Sequence, residues 1–343
     1  MKLSFVAALF LGTAFAATAQ TAPGKLTVDF IDVEGGQSTL FITPTGQSLL
    51  IDTGWAGHDS RDADRIVAAA HKAGLKRIDY VLITHYHADH VGGVSNLIAK
   101  IPVGTFIDHG PNLQVDDPQT AKGYADFQNL LAANHFKVII AKPGDDLPIT
   151  GISVHVISGA ENVIEKPLPG AGQANAEACA ASHPTTPEEP ENVSSLGVEI
   201  TFGKLKILDL GDLTINKEME LMCPVNKVGK VDILVVSHHG WSHSSSPALV
   251  HAIHSRVAIM DNGETKGGSI ETFKTLKDAP GLEQLWQLHY SLEAKELNQP
   301  EKFIANLPGP DAGNGLQLTA TKDGSFAILN SRTGATQSYS APH

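Results

Sequence analysis

The stretch Thr84-His85-Tyr86-His87-Ala88-Asp89-His90 constrains this chain more than any other. Four potential metal ligands fall within six consecutive positions, directly after the apolar run Ile78-Asp79-Tyr80-Val81-Leu82-Ile83. That run reads as a buried strand of the parallel-sheet kind. Side chains alternate along an extended chain, so His85 and His87 are expected on one side. Asp89 and His90 follow at the turn into an expected helix over 91–100, where they can face a neighbouring point. The spacing suits two metal ions side by side rather than one. Imidazoles and carboxylates are ligands expected of zinc, with manganese or iron as alternatives. One histidine at a strand end needs no metal to explain it; a cluster of this density does.

Other candidate residues stand at the ends of other expected strands. Segments 25–31, 39–43 and 48–51 read as strands, the third closing on Asp52-Thr53-Gly54. Helical spacing covers 62–73, 123–134 and 270–276, and further strands are expected at 104–107, 138–141, 152–157 and 197–202. Strand 206–210 runs into Gly211-Asp212, and strand 231–237 into His238-His239-Gly240. Adjacent histidines on an extended chain point in opposite directions, so one metal is not expected to take both. Ser244 and Ser245 are candidate caps for a helix over 247–253. Strands 257–260, 284–289 and 326–330 follow, the last expected to complete the second sheet. His109 and His289 each end a strand and are cleft candidates by position, although a lone histidine at a strand end is more often structural. Residues 159–191 hold five prolines and no periodicity. They read as a loop insertion, either a lid or an unstructured segment.

The His-x-His-x-Asp-His pattern at 85–90 resembles the signature of the metallo-β-lactamase superfamily. Within it the chain is most similar to the hydrolase domain of ComEC-type competence proteins and to choline-phosphate esterases. The resemblance spans about residues 25–265. It implies an α/β chain folded as a four-layer αβ/βα sandwich, holding two divalent ions, zinc first and manganese or iron otherwise. By the same resemblance His85, His87, Asp89, His90, Asp212 and His239 would be the ligands. Asp212 would bridge both ions and Asp52 would orient a bound histidine. His238 would reach a substrate oxygen, and Asp89 or Asp212 would hold or relay a proton. Glu191-Asn192-Val193-Ser194 is similar to an Asn-Asn-x-Ser element of the ComEC branch, which makes Asn192 a cleft candidate. The third histidine that many members place there is absent, which disfavours β-lactam hydrolysis.

The function implied is hydrolysis of a phosphoester or phosphodiester bond in a small substrate, with hydroxide drawn from a water shared by the ions. A lactonase or β-lactamase-like hydrolase, an iron-dependent oxidoreductase and a non-catalytic metal-binding module are the alternatives.

Lys2, the apolar run Leu3–Phe15 and Ala17-Thr18-Ala19 read as a signal peptide over 1–19, leaving 20–343 as one expected domain. The apolar run is too short to span a bilayer. The expected location is therefore exported, periplasmic or secreted, in a bacterium. A formal net charge of −12 repels the phosphate backbone over long range, so long nucleic acid is an unexpected partner and a small molecule the expected one. Oligomeric state is left open by the sequence. The two cysteines, Cys179 and Cys223, lack the paired spacing of a metal site and are compatible with one disulfide in an oxidising compartment.

Overall fold

The computed structural model describes residues 24–341, so the expected signal segment 1–19 lies outside the described residues. The first sheet opens with β1 (Leu26–Phe30), β2 (Thr39–Ile42), β3 (Ser48–Ile51), β4 (Ile78–Leu82), β5 (Val103–Asp108) and β6 (Lys137–Ile140). The second takes β7 (Ser153–Gly159), β8 (Asn162–Val163), β9 (Gly197–Phe202), β10 (Leu205–Asp209), β11 (Ile233–Val235), β12 (Val257–Met260), β13 (Gln284–His289) and β14 (Ile304–Asn306). The chain then returns to the first sheet with β15 (Leu316–Ala320), β16 (Phe326–Asn330) and β17 (Thr336–Tyr339). The strand orders are β17-β16-β15-β1-β2-β3-β4-β5-β6 and β14-β13-β12-β11-β10-β9-β7-β8.

Helices cover the outside of both sheets. On the first lie α1 (Arg61–Lys72), α2 (Ala88–Val91), α3 (Val94–Ile98) and α4 (Pro118–Ala133). The short α5 (Ala176–Ala180) and α6 (Pro190–Val193) follow, then α7 (Ile215–Met222), α8 (Pro247–Val250) and α9 (Ile270–Lys277) against the second sheet.

Three separate apolar clusters make this a four-layer αβ/βα sandwich, as the resemblance implied. Alternation with period 2 sends successive side chains of one strand to opposite faces. On β4, Tyr80 and Leu82 enter the core between the sheets, while Val81 and the following Ile83 face α1, α3 and α4. On β12, Val257 and Ile259 enter the same inter-sheet core, and Ala258 and Met260 pack with α7, α8 and α9. Both faces being covered explains why these strands read as continuous apolar runs.

Four expectations are corrected. β16 belongs to the first sheet, pairing with β15, which pairs with β1. The expected helix 91–100 is two short helices, α2 and α3, divided at Gly92-Gly93. The segment 159–191 is not unstructured: it carries β8 and α5, and Cys179 and Cys223 form a disulfide that ties α5 to the end of α7. The cap of α8 is Ser246, whose side chain accepts from Leu249 N, rather than Ser244 or Ser245.

β3 to β6 run parallel in one sheet, and β10 to β14 in the other. Strands running parallel deliver their carboxyl ends to one edge, where α/β folds place their sites. The residues after β3, β4, β10, β11 and β12 therefore gather at that edge, and contacts bridge the two sheets there. Leu196 N donates to Thr84 O (2.8 Å), and Asp212 N to Ser195 Oγ (3.2 Å).

Candidate metal centre

The end of β3 sets the first half of the site. Ile51 lies opposite Leu82, and Asp52 N continues the ladder by donating to Leu82 O (2.8 Å). The Asp52 carboxylate then accepts from Thr84 N (2.8 Å) and Thr84 Oγ1 (2.6 Å), and lies 2.7 Å from His90 Nδ1. With Nδ1–H donating to Asp52, the ring directs Nε2 into the cluster. His90 reaches this position because α2 packs directly on the loop after β3. A side chain at Gly93 would place its Cβ 2.1 Å from Thr53 O, so only glycine permits the approach.

Asp89, His90, Asp212 and His239 converge, with one ligand atom from each lying within 4.8 Å of the others. Nε2 of His90 and Nε2 of His239 are 3.2 Å apart, and Asp89 Oδ2 is 3.2 Å from each. Asp212 Oδ2 stands 3.3 Å from His90 Nε2, and Asp212 Oδ1 3.5 Å from His239 Nε2. A tetrahedral ion with bonds of about 2.0–2.1 Å has ligand–ligand edges of roughly 3.3–3.4 Å. The observed separations fit that figure. The buried atoms His85 Nε2, Asp212 Oδ1 and His239 Nδ1 have no hydrogen-bond partner, which a buried polar group rarely tolerates without an ion or water. The donor set fits a divalent metal.

His85 and His87 flank this group. Their rings meet edge to face at 4.6 Å, consistent with both emerging on one side of the chain. His85 Nε2 lies 3.8 Å from Asp212 Oδ2, the oxygen that also faces His90, and the His85 and His90 rings are 4.0 Å apart. His87 is partly open, and its Nε2 lies 3.1 Å from Gln114 Oε1 and 3.7 Å from Glu189 Oε2. His238 Nε2 is 3.4 Å from Asp212 Oδ2 and its Nδ1 is 3.3 Å from Ser244 Oγ. The expectation that His238 and His239 point in opposite directions is corrected: both lie in left-handed backbone (φ 56° and 53°), so both rings turn towards Asp212. Two consecutive non-glycine residues there cost on the order of 1–3 kcal/mol each, a strain that clusters at functional sites.

Charge in the cluster is strongly organised. Burial alone would raise Asp89 and Asp212. Instead His90 with Lys266 holds Asp89 well below the carboxylate range, and His90, His238 and His239 do the same for Asp212. Burial opposes charge on His90, yet Asp212, Asp89 and Asp52 hold its imidazole well above its ordinary value. Burial, with His90 and His87 beside it, pushes His85 well below. Burial likewise brings His238 down to about 4 against the pull of Asp212. The two carboxylates demand positive charge between them.

The remaining cleft candidates lie outside the four-residue group. His109 is buried, with Nε2 3.2 Å from Glu191 Oε2 and its ring against Tyr86. Asn192 is buried, donating through Nδ2 to Glu189 Oε2 (3.3 Å) with its Oδ1 unpartnered. His289 pairs with Asp32 (2.7 Å), and a third group, Glu34, completes a separate small cluster to which Arg65 is also bound.

Sequence reasoning missed three contributors. The Glu191 carboxylate accepts from Tyr86 N (3.0 Å) and Leu113 N (2.7 Å) and so grips the His85–His87 segment. Gln114 contacts His87. Lys266 ion-pairs with Asp89. The doublet Gly267-Gly268, next to a lysine and after a strand, was the one available signal for the last.

Several known proteins resemble this chain. The family model described as Metallo-beta-lactamase superfamily matches residues 32–174. The chain is 26% identical over 252 residues to ComE operon protein 3 of Bacillus subtilis, covering 69% of this chain and 28% of that protein. It is 24% identical over 238 residues to Recombination protein 2 of Haemophilus influenzae, covering 69% and 24%. The chain thus spans about a quarter of the length of these two ComEC-like relatives. Among solved structures, the metallo-beta-lactamase fold protein YhfI of Bacillus subtilis aligns with a TM-score of 0.47 at 14% identity, over 77% of this chain and 96% of that one.

Proposed function

We infer that this chain, whose residues 32–174 match the metallo-β-lactamase superfamily model, is a hydrolase that uses two divalent ions to cleave phosphoester or phosphodiester bonds in a small substrate. The observation that carries the reading is Asp212, whose Oδ2 lies within 3.8 Å of the Nε2 atoms of His85, His90 and His238 while its Oδ1 lies 3.5 Å from His239 Nε2. A carboxylate has two oxygens, and one set among four histidines in this way would serve as a shared ligand for two cations.

Asp89, His90, Asp212 and His239 would hold one ion, and His85, His87 and Asp212 the other. Bound there, zinc, manganese or iron supplies Lewis acidity and lowers the pKa of coordinated water. The chain's own groups do the rest. Asp52 fixes the His90 tautomer. Ser244 faces His238 Nδ1, and with that nitrogen as acceptor the ring proton sits on Nε2, beside Asp212, ready to hydrogen-bond a phosphoryl oxygen as charge develops. The charges around them hold Asp89 and Asp212 ionised, so each would take part in proton relay only as an acceptor. A net charge of −12 favours a small substrate over long nucleic acid. The Cys179–Cys223 disulfide supports an oxidising, exported location, and no helix among the described residues is long and apolar enough to cross a membrane.

The test pairs elemental analysis of the purified protein with hydrolysis of bis(p-nitrophenyl) phosphate. The expected result is about two ions per chain, turnover abolished by chelation and restored by metal, and no turnover in folded His87→Ala or Asp212→Ala. Two ions without phosphoester turnover, but with cleavage of lactones or lactams, overturns the substrate class. Bound iron with oxygen consumption overturns the reaction type.

A further inference from the structure

Lys266 stands at the mouth of the metal centre on a loop that its neighbours hold rigidly. After β12, Gly263 N donates to Lys266 O (2.8 Å) and closes a tight turn. Gly267 (φ +73°) follows, and a Cβ there would lie 2.1 Å from His239 O. Gly268 N donates to that same carbonyl (2.9 Å). The glycine doublet thus lays the loop flat on the backbone of His239 and projects the preceding side chain over the cluster.

The ammonium of Lys266 donates to Gly35 O (2.7 Å) and to Asp89 Oδ2. A lysine has three donors, and these contacts use two. The side chain is 22% exposed, and the third N–H has no partner among the described residues. Two indoles flank it, with Nζ 5.5 Å from the Trp55 ring and 5.9 Å from the Trp241 ring. Trp241 is 40% exposed, and its ring lies 5.4 Å from that of His238. A pair of aromatic faces is the usual receptor for an organic cation. Here the chain's own lysine takes that place.

We propose that Lys266, between Trp55 and Trp241, is an anion subsite that binds a non-reacting oxygen of the substrate, so that the site takes small phosphomonoesters in preference to esters with a cationic head. This rests on the phosphoester reading above and names its substrate class. A monoester dianion carries one more anionic oxygen than a diester, and Lys266 is a point charge beside the cluster that can receive it. A quaternary ammonium head would meet an ammonium already between the indoles.

The test uses metal-loaded protein and inorganic phosphate, with binding followed by calorimetry and metal counted in the same samples. Lys266→Met is expected to keep its ions, weaken phosphate by about 10- to 100-fold and raise KM for p-nitrophenyl phosphate to match, as losing a charge-assisted hydrogen bond does. Lys266→Arg is expected to restore most of the binding. Unchanged phosphate affinity in folded, metal-loaded Lys266→Met overturns the proposal. Loss of metal from that variant also overturns it, because the lysine then serves Asp89 alone. A lower KM for p-nitrophenyl phosphorylcholine than for p-nitrophenyl phosphate overturns the substrate class. Phosphate binding that depends on Lys266 in a wild-type protein that cleaves no phosphoester would sink the hydrolase reading and leave the anion subsite standing.

Discussion

At the scale of single residues, the site is built from charges that only neighbours make tolerable. Asp52 is fully buried and sits in left-handed backbone (φ 59°), a costly position for an aspartate. It is held there by Thr84 and in turn orients His90. Removing one such outer partner typically lowers metal affinity by 10- to 100-fold, because the ligand loses both its tautomer and its direction. Asp52→Asn is therefore expected to weaken metal binding by about that factor while leaving the other ligands in place. A chelator-competition titration measures it, and an affinity equal to wild type would refute the role. Asp52 was visible in the sequence because Asp-Thr-Gly closes an obvious strand. Lys266 was not, since the glycine doublet beside it does not say what the lysine meets, and its partners, Gly35 and Asp89, are 231 and 177 residues away.

At the scale of elements, α7 shows how a helix can be pinned by a buried acid. Glu218 is completely buried and accepts from Ser245 N (2.7 Å) and Ser246 N (2.6 Å), which joins α7 to the loop that leads into α8. Burial pushes its carboxyl up to about 7 against those two bonds, from an ordinary 4.5. A raised carboxyl pKa means the folded state keeps a proton that the unfolded chain gives up. The contribution to stability is therefore present below about 4.5, declines as pH rises towards about 7 and is flat above. Glu218→Gln cannot ionise. Its stability relative to wild type should improve across that window, by about 3 kcal/mol at most. Urea midpoints at several pH values measure it, and a difference independent of pH would rule the assignment out.

At the scale of the whole molecule, the carboxyl-terminal strands complete the first sheet. β15 pairs with β1 along its whole length, and Leu316, Leu318, Phe326, Ile328 and Tyr339 fill the core between the sheets. Tyr339 also accepts from Trp286 Nε1 on β13 (2.9 Å), which links the two sheets. Large side chains contribute about 1.5–3 kcal/mol each when buried, so these five together rival the ~5–15 kcal/mol that hold a domain folded. A chain ending at Asn306 is expected to lose cooperative thermal unfolding, followed by circular dichroism. A melting temperature within a few degrees of wild type would show that the three strands are dispensable.

The sequence by itself determined most of the strands, though not β8, β14, β15 or β17, and the chemistry of the first ligand set. Short apolar runs and the density of ligands at 85–90 are local properties, readable without knowing what lies opposite. Only the tertiary structure decided which strand ends meet. It brought Asp212 and His239 from the second sheet against Asp89 and His90 from the first, and turned His238 inward through a left-handed backbone that spacing does not encode. It also returned β16 to the first sheet, because strand pairing depends on which sheet edge is free and not on the strand's own pattern. The Cys179–Cys223 bridge and the placement of Lys266 have the same cause: contacts between residues far apart in sequence exist only once the layers have packed.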